Sequence, residues 1–151
     1  VDEVIEEALK HISRKREEHQ LVYEPSEELL LAKMDSRLIV QVLINLVENA
    51  IKYTQEGSRI EISAVQKGDM IQISVADNGK GIKEDAKEKI FDMFYTAENK
   101  PADSRRGLGL GLFLAKSIIH AHGGTIWVTD NVPSGTIFSF TLQAEEVTIS
   151  E

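Results

Sequence analysis

Apolar residues at Val1, Val4, Ile5, Ala8, Leu9 and Ile12 recur with the three-and-four spacing of a helix packed on one side. The pattern predicts a first helix running to near Glu18. Short runs at Gln20–Glu24 and Leu29–Lys33 read as strands, and Asp35 stands where a helix N-cap would, ahead of a long apolar run. That second helix extends to about Tyr53, with Leu38, Ile39, Val42, Leu43, Leu46 and Val47 as its apolar face. Two alternating segments follow, Ile60/Ile62/Ala64 and Ile71/Ile73/Val75. Lys67-Gly68-Asp69 between them supplies a turn, so the pair reads as a β-hairpin ending at Asp77. Leu110, Phe113, Leu114, Ser117, Ile118 and Ala121 suggest a third helix, stopped by Gly123-Gly124. Two last strands are expected at Thr125–Thr129 and Thr136–Leu142, the second with Thr136, Phe138, Phe140 and Leu142 on one face.

This order of elements predicts an α+β fold, a two-layer α/β sandwich whose mixed sheet is covered on one face by three helices. The 151 residues suit one hydrophobic core, hence a single domain over 1–151. With 42% hydrophobic and 28% charged residues the balance is globular. A formal net charge of −8 argues against bulk attraction to nucleic acid or anionic lipid, so no nucleic-acid partner is expected. The absence of cysteine excludes disulfides, thiolate catalysis and cysteine-ligated zinc, and it fits a cytoplasmic site. No run reaches the roughly 18 apolar residues that span a bilayer, so direct membrane insertion by this domain is not expected.

Three stretches carry candidate chemistry. On the second helix, Asn45, Asn49 and Lys52 fall within about 60° of one another and form a narrow polar stripe. Mid-helix asparagines cost helix propensity; amide oxygens can ligate Mg²⁺, and a lysine can face phosphate. A solvated polar face accounts for the stripe as well. Asp77-Asn78-Gly79-Lys80-Gly81-Ile82 joins a carboxylate, able to accept from an amino group such as that of adenine, to glycines that permit close approach to the backbone. An ordinary turn has the same composition. The third stretch, Gly107-Leu108-Gly109-Leu110-Gly111-Leu112, opens a helix with three alternating glycines. Stability does not favour them there, but they leave bare N–H groups at the positive end of the helix dipole, where phosphate binds. The spacing matches neither a P-loop nor a Rossmann fingerprint.

In this order the three stretches resemble the ATP-binding fold shared by histidine kinases, gyrase, Hsp90 and MutL, the Bergerat-type fold. Asn45…Asn49-Ala50…Lys52-Tyr53, then Phe91-Asp92-Met93-Phe94, then Gly135-Thr136-x-Phe138-x-Phe140-x-Leu142 are similar to the catalytic domain of bacterial sensor histidine kinases. Phe91–Gly124 further resembles the potassium-sensing KdpD-type kinases. The resemblance implies ATP and Mg²⁺ as cofactors. By it, Asp77 would hold the adenine amino group with Thr136 in a water-mediated role, Asn49 would ligate the metal, and Asn45 would support the metal site. Lys52 and Tyr53 would contact phosphate or ribose, and Gly79 and Gly81 would let the chain pass close to the nucleotide. Gly107, Gly109 and Gly111 would close the phosphate side. Phe91 and Phe94 would anchor a lid over Tyr95–Arg106, with Arg105 and Arg106 supplying the positive charge that Met93 does not. The implied activity is transfer of the γ-phosphoryl group to a histidine on a separate dimerisation domain. The implied partners are that domain and a response regulator, within a membrane-bound sensor kinase.

No phosphoacceptor box occurs in these residues: His11 is followed by Ile12-Ser13-Arg14 and His19 by Gln20, and His120 and His122 fall at the end of the third helix. No catalytic residue is therefore assigned within the domain. Two rival readings are an anti-sigma-factor-type serine kinase and a degenerate nucleotide-sensing module. Serine kinases of that type and the hydrolytic relatives carry a glutamate base four residues before the metal-binding asparagine; Asn45, a poor base, stands there instead.

Overall fold

The computed structural model describes residues 1–12, 19–25, 29–55, 57–92 and 111–145. The chain runs α1 (Asp2–Ile12), β1 (Gln20–Tyr23), α2 (Ser36–Lys52), β2 (Arg59–Lys67), β3 (Met70–Asp77), α3 (Gly111–Ala121), β4 (Ile126–Asp130) and β5 (Thr136–Gln143), with two short 3-10 turns at Glu84–Ala86 and Lys89–Phe91. The five strands form one mixed sheet in the order β1-β2-β3-β5-β4. β1 runs parallel to β2, and the other pairs are antiparallel. Alternation puts Ile60 and Ile62, then Ile71, Ile73 and Val75, then Phe138, Phe140 and Leu142 on the buried side. α2 lies between α1 and α3 in the helix layer. This is the expected α+β sandwich.

Local chemistry explains the helices. Asp35 caps α2, its Oδ1 accepting from the Arg37 and Leu38 amides at 3.1 and 3.4 Å. Ile39, Val42, Leu43, Leu46, Val47 and Ala50 form the buried stripe. Leu38, expected on that face, is instead 42% exposed, because it sits about 100° round the helix from Ile39, beyond the stripe's edge. α1 buries Val4, Ile5, Ala8 and Ile12; the expected continuation toward Glu18 lies outside the described residues.

Two expectations need correction. Leu29–Lys33 makes no strand of its own: it buries Leu30 and Ala32, but its pairing is one bridge, Ala32 to Ala144, flanked by Lys33 N to Gln143 O and Glu145 N to Leu31 O. The alternation is genuine, but its ladder against the chain following β5 is too short to propagate. On α3 the buried residues are Ala115 and Ile119, with Leu112 and Ile118 packed against the core, whereas Leu114 is 47% exposed. Leu112-Phe113-Leu114 makes the helix apolar on several sides, so neighbouring elements, not periodicity, choose the face.

Among the described residues no helix is long and apolar enough to cross a membrane. The segment leading out of the Gly81 loop is pinned at two points. Lys87 Nζ meets Glu84 Oε2 at 2.5 Å and Asp130 Oδ1 at 3.0 Å, and buried Phe91 stacks edge-on against Phe138 with ring centroids 6.0 Å apart.

Candidate nucleotide site

The alternation that buries Ile71, Ile73 and Val75 carries one step further and turns Asp77 to the same side. On the antiparallel neighbour, the period that buries Leu142, Phe140 and Phe138 ends on Thr136. Two apolar rows thus finish side by side on polar residues. Asp77 is 7% exposed, the one ionisable side chain buried among the described residues. Its Oδ1 accepts from the Gly79 amide at 2.9 Å and the Thr136 amide at 3.3 Å. Oδ2 accepts no bond among the described residues. Burial pushes the carboxyl above its ordinary value, and the Gly79 and Thr136 amides draw it part of the way back.

Glycine makes this packing possible. A Cβ on Gly79 would sit 2.8 Å from Thr54 Cγ2 and 3.2 Å from Asp77 Oδ1. Gly135, at φ +111°, lies so close behind the strand end that a Cβ there would be 2.0 Å from Asp77 O. Gly81, at φ +81°, faces Gly135 O across the same turn. The C-terminal end of α2, the loop after β3 and the turn between β4 and β5 therefore converge on one carboxylate.

The α2 stripe joins this end of the site to the other. From Asn45 to Tyr53 the helix rises about 12 Å. At the near end Tyr53 caps α2 and Thr54 touches Gly79. At the far end Asn45 Nδ2 donates to Gly111 O at 3.2 Å, while its Oδ1 accepts from Gln41 Nε2 at 2.8 Å. Gly111 is the first residue of α3. Asn49, between them, is half-buried, and its carboxamide has no hydrogen-bond partner among the described residues. Lys52 Nζ rests 5.2 Å from the centre of the Tyr53 ring, and both side chains are exposed.

The structure thus brings Asp77, Gly79, Gly81 and Thr136 together at the β3 end and Asn45 against Gly111 at the start of α3, with Asn49, Lys52 and Tyr53 along α2 and its C-cap. Arg105, Arg106, Gly107, Gly109, Phe94 and the proposed lid lie outside the described residues. Among the described residues no group of three or more His, Asp or Glu could cage a metal ion. Sequence reasoning missed Thr54, which accepts a contact from His19 Nε2 at 2.9 Å and donates to Ala50 O, and Asn131, whose Nδ2 donates to Asp77 O at 2.8 Å. Thr54 was findable as the residue after Tyr53; nothing local marks Asn131. His122 ties the helices together, Nδ1 against Ile118 O at 2.7 Å and Nε2 accepting from Asp35 N at 3.0 Å, in keeping with a helix-end role.

The buried carboxylate makes a test of pH. Because its folded-state pKa is raised, the folded protein holds this proton more tightly than the unfolded chain does. The resulting stability is fully present below the unfolded pKa and is lost as pH rises through the folded value. Asp77→Asn keeps an Oδ1 acceptor for both amides and has nothing to ionise. Its stability relative to wild type, read from urea unfolding midpoints, is expected to increase from acid to neutral pH; a decrease would contradict this reading of the site.

The chain is similar to known proteins over most of its length. Residues 34–146 match the family model described as histidine kinase-, DNA gyrase B- and HSP90-like ATPase. The chain is 41% identical over 145 residues to the sensor protein KdpD of Clostridium acetobutylicum, covering 96% of this chain and 16% of that protein. The nucleotide-free catalytic domain of histidine kinase ThkA superposes with a TM-score of 0.82 at 36% identity, over 95% of this chain and 91% of that one. ThkA in complex with the response regulator protein TrrA matches with a TM-score of 0.78 at 33% identity, over 96% of this chain and 40% of that one. Matched along its site-bearing elements by the family model and over nearly its whole length by kinase catalytic domains, the chain belongs to the histidine kinase-, DNA gyrase B- and HSP90-like ATPase family and, within it, to the ATP-binding catalytic domains of sensor histidine kinases.

Proposed function

We propose that the chain binds Mg²⁺-ATP and delivers the γ-phosphoryl group to a histidine on a separate dimerisation domain, from which an aspartate of a response regulator receives it. The observation that carries the nucleotide part is Asp77: a buried carboxylate with both backbone donors on Oδ1 and Oδ2 left to accept an amino group. A carboxylate oxygen with no protein donor is a strong acceptor for the adenine 6-amino group.

At the other end the amide oxygen of Asn49 would hold Mg²⁺, with Lys52 and the start of α3 at Gly111 toward the phosphates. Bound there, the ion neutralises phosphate charge. Asn45 holds α2 against α3 through Gly111 O, which keeps the metal ligand and the phosphate end in fixed relation. It supplies no base, and phosphoryl transfer needs little beyond positioning and charge neutralisation. The structure of ThkA in complex with the response regulator protein TrrA supports a response regulator as partner; the cytoplasm, as part of a membrane-bound sensor kinase, is the location this reading proposes.

Asp77→Asn is expected to weaken ATP binding roughly ten- to a hundredfold while the domain stays folded, as read by calorimetry beside a melting curve. Wild-type affinity in that variant would remove the base assignment. Asn49→Ala is expected to abolish the gain in ATP affinity that Mg²⁺ confers and to leave adenosine binding nearly intact, since the metal ligand touches only the phosphate end; equal losses for both ligands would point to damage of the fold instead. The chain alone is expected to bind ATP without labelling itself on histidine. Adding a histidine-bearing dimerisation domain in trans should produce acid-labile phosphorylation, and acid-stable phosphoserine in its place would favour the serine-kinase reading.

A further inference from the structure

The turn that follows β4 reaches into the base site from a direction no sequence motif marks. Asn131 makes three hydrogen bonds there. Its Nδ2 donates to Asp77 O at 2.8 Å, its Oδ1 accepts from Val132 N at 2.9 Å, and its own amide donates to Gly135 O at 3.0 Å. Because Val132 N takes the oxygen, the carboxamide can present only its nitrogen to Asp77. The β3–β5 register ends at Ala76 opposite Ile137, so the side chain braces Asp77 one residue past the last position paired with β5. The same turn sets Gly135 against Asp77 O and delivers the Thr136 amide to Asp77 Oδ1.

Resting on the nucleotide reading above, we infer that Asn131 is a positioning residue for base selection: it holds the Asp77 backbone so that the free carboxylate oxygen faces the 6-amino group of the purine. Asn131 touches neither base nor phosphate. It acts through the peptide of Asp77, where a small rotation swings the side chain, and hydrogen bonds weaken steeply with misalignment. Asn131→Asp keeps the shape and the acceptor for Val132 N but sets an oxygen against Asp77 O. Asn131→Ala removes the brace without that repulsion.

The test titrates the whole chain and both variants with ATP and with the triphosphate of purine riboside, which lacks the 6-amino group. ATP affinity is expected to fall about five- to thirtyfold in both variants, and affinity for the analogue by less than about twofold, so that discrimination between the two shrinks. A merely structural role lowers both affinities together, and that outcome overturns the inference. A wild-type preference for ATP that persists undiminished in both variants overturns the assignment of Asn131 alone. A wild-type chain with no preference for ATP over the analogue overturns the base-recognition reading and this inference with it.

Discussion

A carboxylate removed from water must be met by hydrogen-bond donors, and at Asp77 that requirement organises everything around it. The donors available are backbone amides of Gly79 and Thr136, which come from the loop after β3 and the start of β5 and must approach the same oxygen. Side chains would block that approach at Gly79 and Gly135, where a Cβ would collide with Thr54 and with Asp77 O. Both donors converge on Oδ1, and the second oxygen accepts no bond among the described residues. The carboxylate is satisfied by backbone amides, without a cage of charged side chains.

α2 serves two demands that pull in different directions. One side carries the apolar stripe from Ile39 to Ala50 that seats the helix on the sheet. The adjoining side carries Asn45, Asn49 and Lys52, residues weaker than alanine as helix formers by up to about 0.7 kcal/mol each. The apolar stripe fixes the rotation of the helix, and with it the direction in which the asparagines point. Asn45 then extends that rigidity to α3 through Gly111 O, and Thr54 extends it to the loop after β3 through Gly79. Packing and recognition are therefore one geometric problem, solved along a single helix.

The raised pKa of Asp77 is the cost of this arrangement to the folded state. A site built for stability alone would place a neutral residue at the end of β3. Retaining an acid there, braced by Asn131 and two amides, is intelligible if affinity for an amino-bearing base outweighs the stability lost.

Much of this was legible in the sequence because it depends on local rules. Period-two alternation foretold β2, β3 and β5 and carried Asp77 and Thr136 to the buried face; Asp35 announced the start of α2, and the order of asparagine helix, glycine turn and glycine-rich helix start named the family. Tertiary structure decided what locality cannot. It inserted β5 between β3 and β4, and it chose Ala115 and Ile119 over Leu114 as the buried face of an almost uniformly apolar α3. It reduced Leu29–Lys33 to a single bridge, and it brought Asn131 across 54 positions to Asp77 O. A hydrogen bond between distant residues leaves no period and no spacing to read; it exists only once the sheet has placed two strand ends side by side.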